Sequence, residues 1–343
     1  MSGEIKRLPF DPAYKNGAQP LSPDKILDIP AVRKGIQTTN PGPDGIAEKH
    51  PQYELTNIKV PGIPGLSDAT VDLALYQPRP KAGRKWPAGC PLVYHVHGGA
   101  QIAGDRYFAL EYPMAHVSPA DNVLFASIEY RLVPEHPAPA GAYDVYAGLV
   151  YLTTHAKELG IDPEKIVLYG VSGGAAVSAS AALLSRKLAG PKCVALVLDI
   201  PMLDDRQAGH ASPKQFWDGT AWPGWMEEKV WDVVLGDGDR SDPDGVRIAA
   251  RAESLTDLPL TFIDIGECES MRDQVVAFAS RIWRDGGQAE LHVWPGVYHG
   301  GAMWEPNVPV SKAMVRVQRG FLERVFGLHE NGEEKGGKVK SLL

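Results

Sequence analysis

The chain has 343 residues, 44% of them apolar and 22% charged, and this length suits one large α/β domain with an added lid. Its formal net charge is −7 and it has no dense cluster of Lys and Arg, which argues against a nucleic-acid-binding surface. The sequence has neither an apolar leader nor a run of about 18 apolar residues, so we expect no signal peptide, no membrane span and a cytoplasmic location.

The first 52 residues are polar and interrupted by prolines, and we expect an N-terminal arm with short helices at 23–27 and 31–35. Beyond the arm, alternating or continuously apolar runs predict eight strands. These strands cover 53–60, 71–76, 92–96, 123–128, 166–169, 194–200, 260–265 and 291–294. Helical segments separate the strands from the third onward, which predicts a mostly parallel sheet with helices on both faces.

Residues 204–255 break this alternation and are rich in tryptophan. We interpret them as a cap insertion between the two parts of the core, 53–203 and 256–328. Trp217, Trp222 and Trp225 are candidate substrate contacts, although aromatic residues in such a segment also form its own core. The charged, Gly-rich end of the chain, residues 329–343, is expected to be disordered.

A candidate nucleophile lies where the strand at 166–169 meets Gly170-Val171-Ser172-Gly173-Gly174 and then a helical segment rich in Ala and Ser. Glycines two residues before and after Ser172 leave room for the tight turn that exposes a nucleophile. The motif also recurs by chance, and the alternative is that Ser172 only caps the helix. The motifs that follow favour the nucleophile.

Backbone donors are available near that turn. His97-Gly98-Gly99-Ala100 follows the strand at 92–96, and glycine N–H groups at a strand end can face a ligand because no Cβ blocks them. Gly98 and Gly99, with Gly173, are therefore the candidate oxyanion hole. The alternative is a plain tight turn.

A nucleophilic serine needs a base, and the base needs a carboxylate to orient it. Acidic residues, among them Glu269 and Asp273, follow the strand at 260–265, and His299 lies in a glycine-flanked loop after the last strand. The order Ser, acid, His, at the carboxyl ends of the strands, is the order found in α/β-hydrolases. We therefore expect His299 to be the base.

The sequence predicts no metal site, disulfide or cofactor. His95 and His97 share one strand face, but no acidic residue or histidine nearby completes a ligand set. The acidic stretch at 237–248 lacks the Gly and Glu that a calcium loop requires at its sixth and twelfth positions. The cysteines are far apart and are interpreted as buried free thiols: Cys90, Cys193 and Cys268.

Four motifs make the chain resemble the hormone-sensitive-lipase-like esterases, which have the α/β-hydrolase fold. HGGA at 97–100 is similar to the family's H-G-G-G, GVSGG at 170–174 to G-D-S-A-G-G, YRLVPEHP at 130–137 to Y-R-L-A-P-E-H-P, and ESMRD at 269–273 to D-P-L-R-D. The resemblance spans roughly residues 92–326. It implies a cap built from the N-terminal arm and residues 204–255, a structural role for the third motif, and Glu269 as the acid of a catalytic triad.

Position also separates Glu269 from Asp273, because Glu269 lies in the loop after the strand and Asp273 in the first turn of the next helix. There a carboxylate has a sufficient role in capping its own helix. Three residues depart from the family pattern: Val171, Gly173 and Ala100. All three keep their backbone N–H donors, so we expect them to affect rate and substrate preference rather than reaction class.

These features predict a serine hydrolase that cleaves esters of short or medium acyl chains, or a lactone, through an acyl-enzyme. A specialised acyl transferase, deacetylase or dehydratase would keep the same constellation. A small-ligand-binding protein, such as the plant hormone receptors that resemble these esterases but lack the histidine, is opposed by His299. The expected partner is a small ester, and a homodimer is left open.

Overall fold

Eight strands form a single sheet in the computed structural model, which describes residues 5–15, 25–79, 88–237 and 240–328. The order across the sheet is β1-β2-β4-β3-β5-β6-β7-β8. The strands are β1 (Tyr53–Val60), β2 (Val71–Pro78), β3 (Cys90–Val96), β4 (Leu124–Ile128), β5 (Ile161–Val171), β6 (Ala195–Asp199), β7 (Leu260–Gly266) and β8 (Ala289–Trp294). All pairings from β4 across to β8 are parallel, whereas β2 pairs antiparallel with β1 and β4. The predicted sheet is confirmed.

Helices connect and cover the strands. They are α1 (Ile29–Thr39), α2 (Gly42–Lys49), α3 (Glu111–Met114), α4 (Ala140–Thr154), α5 (Ala156–Leu159), α6 (Gly173–Lys187), α7 (Ser212–Gln215), α8 (Gly224–Leu235), α9 (Arg272–Arg284), α10 (Gly301–Trp304) and α11 (Pro309–Phe326), with 3₁₀ turns at Pro119–Asp121 and Ala249–Arg251. The arm helix predicted at 31–35 lies inside α1. The one predicted at 23–27 is wrong for 25–27, which are not helical, and its first two residues lie outside the described chain.

The middle of the sheet is buried on both faces. Every residue of β3, β4 and β6 is buried, as a parallel strand covered by helices on both sides should be. Helix α6 packs against β5 and β6 on one side and against α4 on the other. Strand β1 is at the edge, and its middle residues are largely exposed. Gly98 and Ser172 therefore follow strands from the buried middle of the sheet, whereas His299 follows β8 at its edge.

The predicted cap segment, 204–255, contains α7, α8 and the second 3₁₀ turn, and the N-terminal arm contacts it. Arg7 Nη1 donates to the carbonyl of Asp218 at 2.9 Å, and the rings of Phe10 and Phe216 lie 6.3 Å apart. The division of the chain into arm, core and cap stays a prediction. The predicted tail, 329–343, lies outside the described residues. In the part of the chain that the structure describes, no helix is both long and apolar enough to cross a membrane.

Candidate active site

Ser172 stands at the apex of a sharp turn between β5 and α6. Its backbone has φ 52° and ψ −116°, a conformation that non-glycine residues rarely adopt and that functional sites often hold. The Ser172 N–H donates to the carbonyl of Asp199 at 2.8 Å, which fixes the turn to the end of β6. A Cβ on Gly174 would lie 2.2 Å from the carbonyl oxygen of His97, so only glycine lets α6 start this close to the end of β3.

The structure brings Ser172, His299 and Glu269 together in one hydrogen-bonded chain. Ser172 Oγ lies 3.0 Å from His299 Nε2, and His299 Nδ1 lies 2.6 Å from Glu269 Oε2. The second oxygen of Glu269 accepts the N–H of Gly266 at 2.9 Å, which holds the carboxylate in place. Glu269 is 1% exposed and Ser172 is 8% exposed. The acid is therefore shielded from water, while the serine retains a small accessible surface.

Asp273 lies in the first turn of α9, as expected, but its carboxylate serves a different element. Asp273 Oδ2 accepts the N–H groups of Ala211 and Ser212 at 2.8 and 2.9 Å, at the start of α7. In return, Ser212 Oγ accepts the N–H of Asp273 at 3.0 Å. The expectation that Asp273 caps its own helix is wrong, because its charge is directed at the cap segment.

The three predicted oxyanion-hole glycines lie around the Ser172 turn. A Cβ on Gly98 would lie 3.6 Å from Ser172 Cβ, and Gly99 has φ 102°. A Cβ on Gly173 would lie 2.5 Å from Ala100 Cα and 2.7 Å from the backbone nitrogen of Ala100. Two of the departures from the family pattern, Gly173 and Ala100, are therefore in contact. The sequence predicts that Ala100 keeps its N–H donor but does not predict its position beside Gly173.

The stretch at 130–137 supports this loop. Tyr130 Oη donates to the carbonyl of His97 at 2.9 Å, and the Tyr130 ring stacks on the His97 imidazole with 4.3 Å between centroids. Arg131 forms a bidentate ion pair with the buried carboxylate of Asp144. These contacts hold the carbonyl that immediately precedes Gly98.

The predicted cap tryptophans lie in different surroundings. The Trp222 ring centroid is 5.8 Å from that of His299, so this side chain adjoins the site. Trp217 is 37% exposed. Trp225 is 2% exposed and belongs to the main hydrophobic core, where its ring is not available to a ligand.

A second serine–histidine pair occurs in the sheet. His95 Nδ1 lies 2.8 Å from Ser127 Oγ, both residues are fully buried, and burial lowers the pKa of His95 to about 3. No carboxylate is hydrogen-bonded to this histidine among the described residues, so the pair lacks the third member of a triad. Within the same described ranges, no three His, Cys, Asp or Glu side chains cluster closely enough to hold a metal ion.

Comparisons with known proteins agree with this fold. A family described as having the α/β-hydrolase fold matches residues 93–303. The carboxylesterase NlhH of Mycobacterium tuberculosis is 30% identical over 66% of this chain and 72% of its own, and the esterase LipI of the same species is 28% identical over 70% and 77%. A solved structure described as a bacterial heroin esterase is 29% identical, has a TM-score of 0.78 and covers 87% of this chain and 92% of its own.

The fold and the match over most of the sheet define the chain as an α/β-hydrolase. It belongs to the hormone-sensitive-lipase-like esterases and lipases of that family, which confirms the resemblance found in the sequence.

Proposed function

We propose that the chain is a serine carboxylesterase in which Ser172, His299 and Glu269 form the catalytic triad. The observation that carries this proposal is the pair of hydrogen bonds, 3.0 and 2.6 Å long, that joins the serine through the imidazole to a buried carboxylate. Relatives named as esterases support the reaction class. The acyl transferase, deacetylase and dehydratase alternatives are not favoured by these relatives, and the retained His299 opposes a binding protein without catalysis.

In the proposed mechanism, Ser172 Oγ attacks the ester carbonyl while His299 Nε2 accepts its proton. The imidazolium that forms is stabilised by Glu269, which also keeps the other ring proton on Nδ1. His299 then passes the proton to the leaving alcohol, and an acyl-enzyme remains on Ser172. Water, activated by the same imidazole, attacks this acyl group and releases the acid.

Backbone donors stabilise the oxyanion of both tetrahedral intermediates. We assign this role to Gly98, Gly99 and Gly173, and the contact between Ala100 and Gly173 adds the Ala100 N–H to the candidates. One well-placed donor lowers the barrier by about 3 to 4 kcal/mol in a well-studied protease. Apart from the water that attacks the acyl-enzyme, the proposed steps use side chains and backbone groups of this chain.

The substrate we propose is a small ester of a short or medium acyl chain, of about two to eight carbons, or a lactone. Trp222 beside His299 supports a closed site, in which each buried methylene contributes about 0.8 kcal/mol up to the volume of the pocket. Trp217 and Trp225 are weaker candidates for substrate contact, because Trp217 is exposed and Trp225 is buried in the main core. A cytoplasmic location and a homodimer stay predictions.

The proposal is tested by Ser172→Ala. We expect p-nitrophenyl ester hydrolysis to fall about 10⁴-fold or more and fluorophosphonate labelling to disappear, because triad residues act as a unit. Circular dichroism and thermal melts of the variant control for folding. A folded Ser172→Ala protein with turnover near that of the wild type would refute the triad.

A further inference from the structure

Two acidic side chains lie side by side in the sheet directly behind the candidate active site. Asp199 is the last residue of β6, Asp264 lies on β7, and the two are register partners in a parallel pair of strands. Asp199 is 1% exposed and Asp264 is not exposed at all. Two ionised carboxylates on neighbouring strands in a buried site repel each other and are poorly solvated.

Two side chains donate hydrogen bonds to the pair: the amide of Gln318 to both acids, and the indole of Trp294 to Asp264. Gln318 Nε2, from α11, lies 2.9 Å from Asp199 Oδ1 and 3.1 Å from Asp264 Oδ2, and Trp294 Nε1 donates to Asp264 Oδ2 at 3.2 Å. No Lys, Arg or His of the described chain forms an ion pair with either acid. Asp264 Oδ1 is buried and, among the described residues, has no hydrogen-bond partner.

This donor set fits a pair that holds one proton. Asp264 receives two N–H donors and Asp199 receives one, so the negative charge belongs on Asp264 and the proton on Asp199. The Asp199 hydroxyl then supplies the donor that Asp264 Oδ1 otherwise lacks. Burial raises the pKa of both acids, and repulsion from Asp264 raises that of Asp199 further. The other titratable groups facing the pair are Tyr112, Tyr169, Glu269 and His292.

The pair is connected to every strand that carries a proposed triad residue. Tyr169, three residues before Ser172 on β5, donates its hydroxyl to Gln318 Oε1 at 2.6 Å. Asp264 lies five residues before Glu269, and Trp294 lies five residues before His299. The main chain adds a fourth link, since the carbonyl of Asp199 accepts the Ser172 N–H.

We infer that Asp199, Asp264 and Gln318 are positioning residues. The two carboxyl groups share one proton and are bridged by the Gln318 amide. This arrangement sets the spacing of the strand ends that precede Ser172, Glu269 and His299. This inference rests on the proposed function for its effect on turnover, but the protonation of the pair does not depend on catalysis. A fixed spacing matters because a displacement of about 1 Å far from the chemistry can cost about 10²-fold in rate.

The kinetic test compares two substitutions at one position. Asp199→Asn replaces the protonated acid by a neutral group of the same shape that still donates to Asp264 and accepts from Gln318, so we expect kcat and KM close to those of the wild type. Asp199→Leu removes the group that donates to Asp264 and accepts from Gln318. We expect kcat to fall about 10²-fold with KM little changed. A large loss of kcat in Asp199→Asn, or none in a folded Asp199→Leu, would overturn the inference.

Infrared spectroscopy tests the shared proton without relying on turnover or on the folding of the Leu variant. The carbonyl stretch of a protonated carboxyl group is distinct from the bands of ionised carboxylates. In Ser172→Ala protein at neutral pH, we expect protonated carboxyl groups to give such a band, and we expect adding Asp199→Asn to remove the part of it that belongs to the carboxyl pair. Glu227→Gln is the matched control, because it removes the contribution of Glu227, a separate buried acid whose pKa is raised to about 8.

The infrared and kinetic experiments distinguish failure of this inference from failure of the proposed function. If the Asp199-dependent band is absent, the shared proton is refuted whatever the kinetics show. If the band is present but Ser172→Ala retains full activity, the proposed triad fails while the carboxyl pair stands.

Discussion

Glu269 and Asp273 are four residues apart, yet their carboxylates have unrelated partners. Glu269 faces His299 at 2.6 Å from within the buried loop after β7. Asp273 is turned toward the backbone of α7 and pairs with Arg272. Glu269 is placed to orient an imidazole, whereas Asp273 holds the start of α7. Loss of the charge should therefore affect turnover at Glu269 and stability at Asp273.

We therefore expect Glu269→Gln to lower kcat by about 10³ to 10⁴-fold, because an amide keeps the shape but does not stabilise an imidazolium. Asp273→Asn should leave kcat nearly unchanged and reduce the free energy of unfolding by about 1 to 2 kcal/mol, since it weakens charge-assisted hydrogen bonds to two N–H groups. Ester kinetics and thermal melts on both variants make the comparison. An inactive Asp273→Asn beside a nearly normal Glu269→Gln would mean that the acid is assigned to the wrong residue.

The sequence was most informative where residue identity and chain position point to the same chemistry, as for Ser172 and His299. It was least informative for side chains whose partners are distant in the chain. The contact of Asp273 with Ala211 spans 62 residues and follows no local rule. Asp199 and Asp264 fall inside two of the predicted strands, and only the register of β6 and β7 places them side by side.

At the scale of elements, helix α1 of the N-terminal arm is attached to the loop that carries the predicted oxyanion hole. Arg33 Nε donates to the carbonyl of Ile102 at 2.7 Å, and its Nη2 donates to that of Val133 at 3.1 Å. The same guanidinium makes a bidentate pair with Glu135, both contacts 2.7 Å long. Just before Ile102, Ala100 and Gln101 have φ values of 56° and 63°, so the loop is held in a backbone conformation that needs support.

We expect Arg33→Gln to lower kcat about tenfold, the equivalent of about 1.4 kcal/mol. The loop loses its contact at Ile102 and the supporting stretch at 130–137 loses its contact at Val133, so the backbone donors shift. The matched control is Glu135→Gln, which removes the exposed ion pair but leaves both contacts to the carbonyls. An exposed ion pair contributes little because water screens it, so this control should retain normal turnover. Equal losses in the two variants would show that the ion pair, rather than the attachment to the loop, is what matters.

All eight strands were predictable from alternating or continuously apolar runs, but their ends were not. Strand β5 starts at Ile161, five residues earlier than predicted, since polar residues and Pro163 conceal a start that pairs with Cys90 across a register shift. Helix α2 was missed because its sequence, GPDGIAEK, contains two glycines and a proline. Its one buried residue is Ile46, so packing rather than propensity holds it.

For the molecule as a whole, a buried acid lies between the predicted cap segment, 204–255, and the predicted core. Glu227, on α8, is 1% exposed, and its Oε1 accepts Nε2 of Gln274, on α9, at 3.1 Å. Burial raises the pKa of Glu227 to about 8, against the opposing effect of hydrogen bonding to Ser270 and Gln274. The cap therefore packs on the core with a carboxyl group that is neutral at pH 7.

The sign of the effect on stability follows from where the proton is held. Below about pH 4.5 the carboxyl is protonated in both the folded and the unfolded chain, and it contributes no pH dependence. Between that pH and about 8, the unfolded chain has lost the proton and the folded chain keeps it, so the free energy of unfolding falls as pH rises. The slope from this one group is at most about 1.4 kcal/mol per pH unit.

Glu227→Gln isolates that contribution, because a neutral amide of the same shape cannot ionise in either state. We expect the variant and the wild type to have similar unfolding free energies near pH 4.5, and the variant to become progressively more stable than the wild type by pH 8. Urea denaturation at a series of pH values measures this difference, and groups common to both proteins cancel from it. A difference that stays constant from pH 4.5 to 8 would mean that Glu227 is already ionised in the folded protein, and that the cap joint tolerates a buried negative charge.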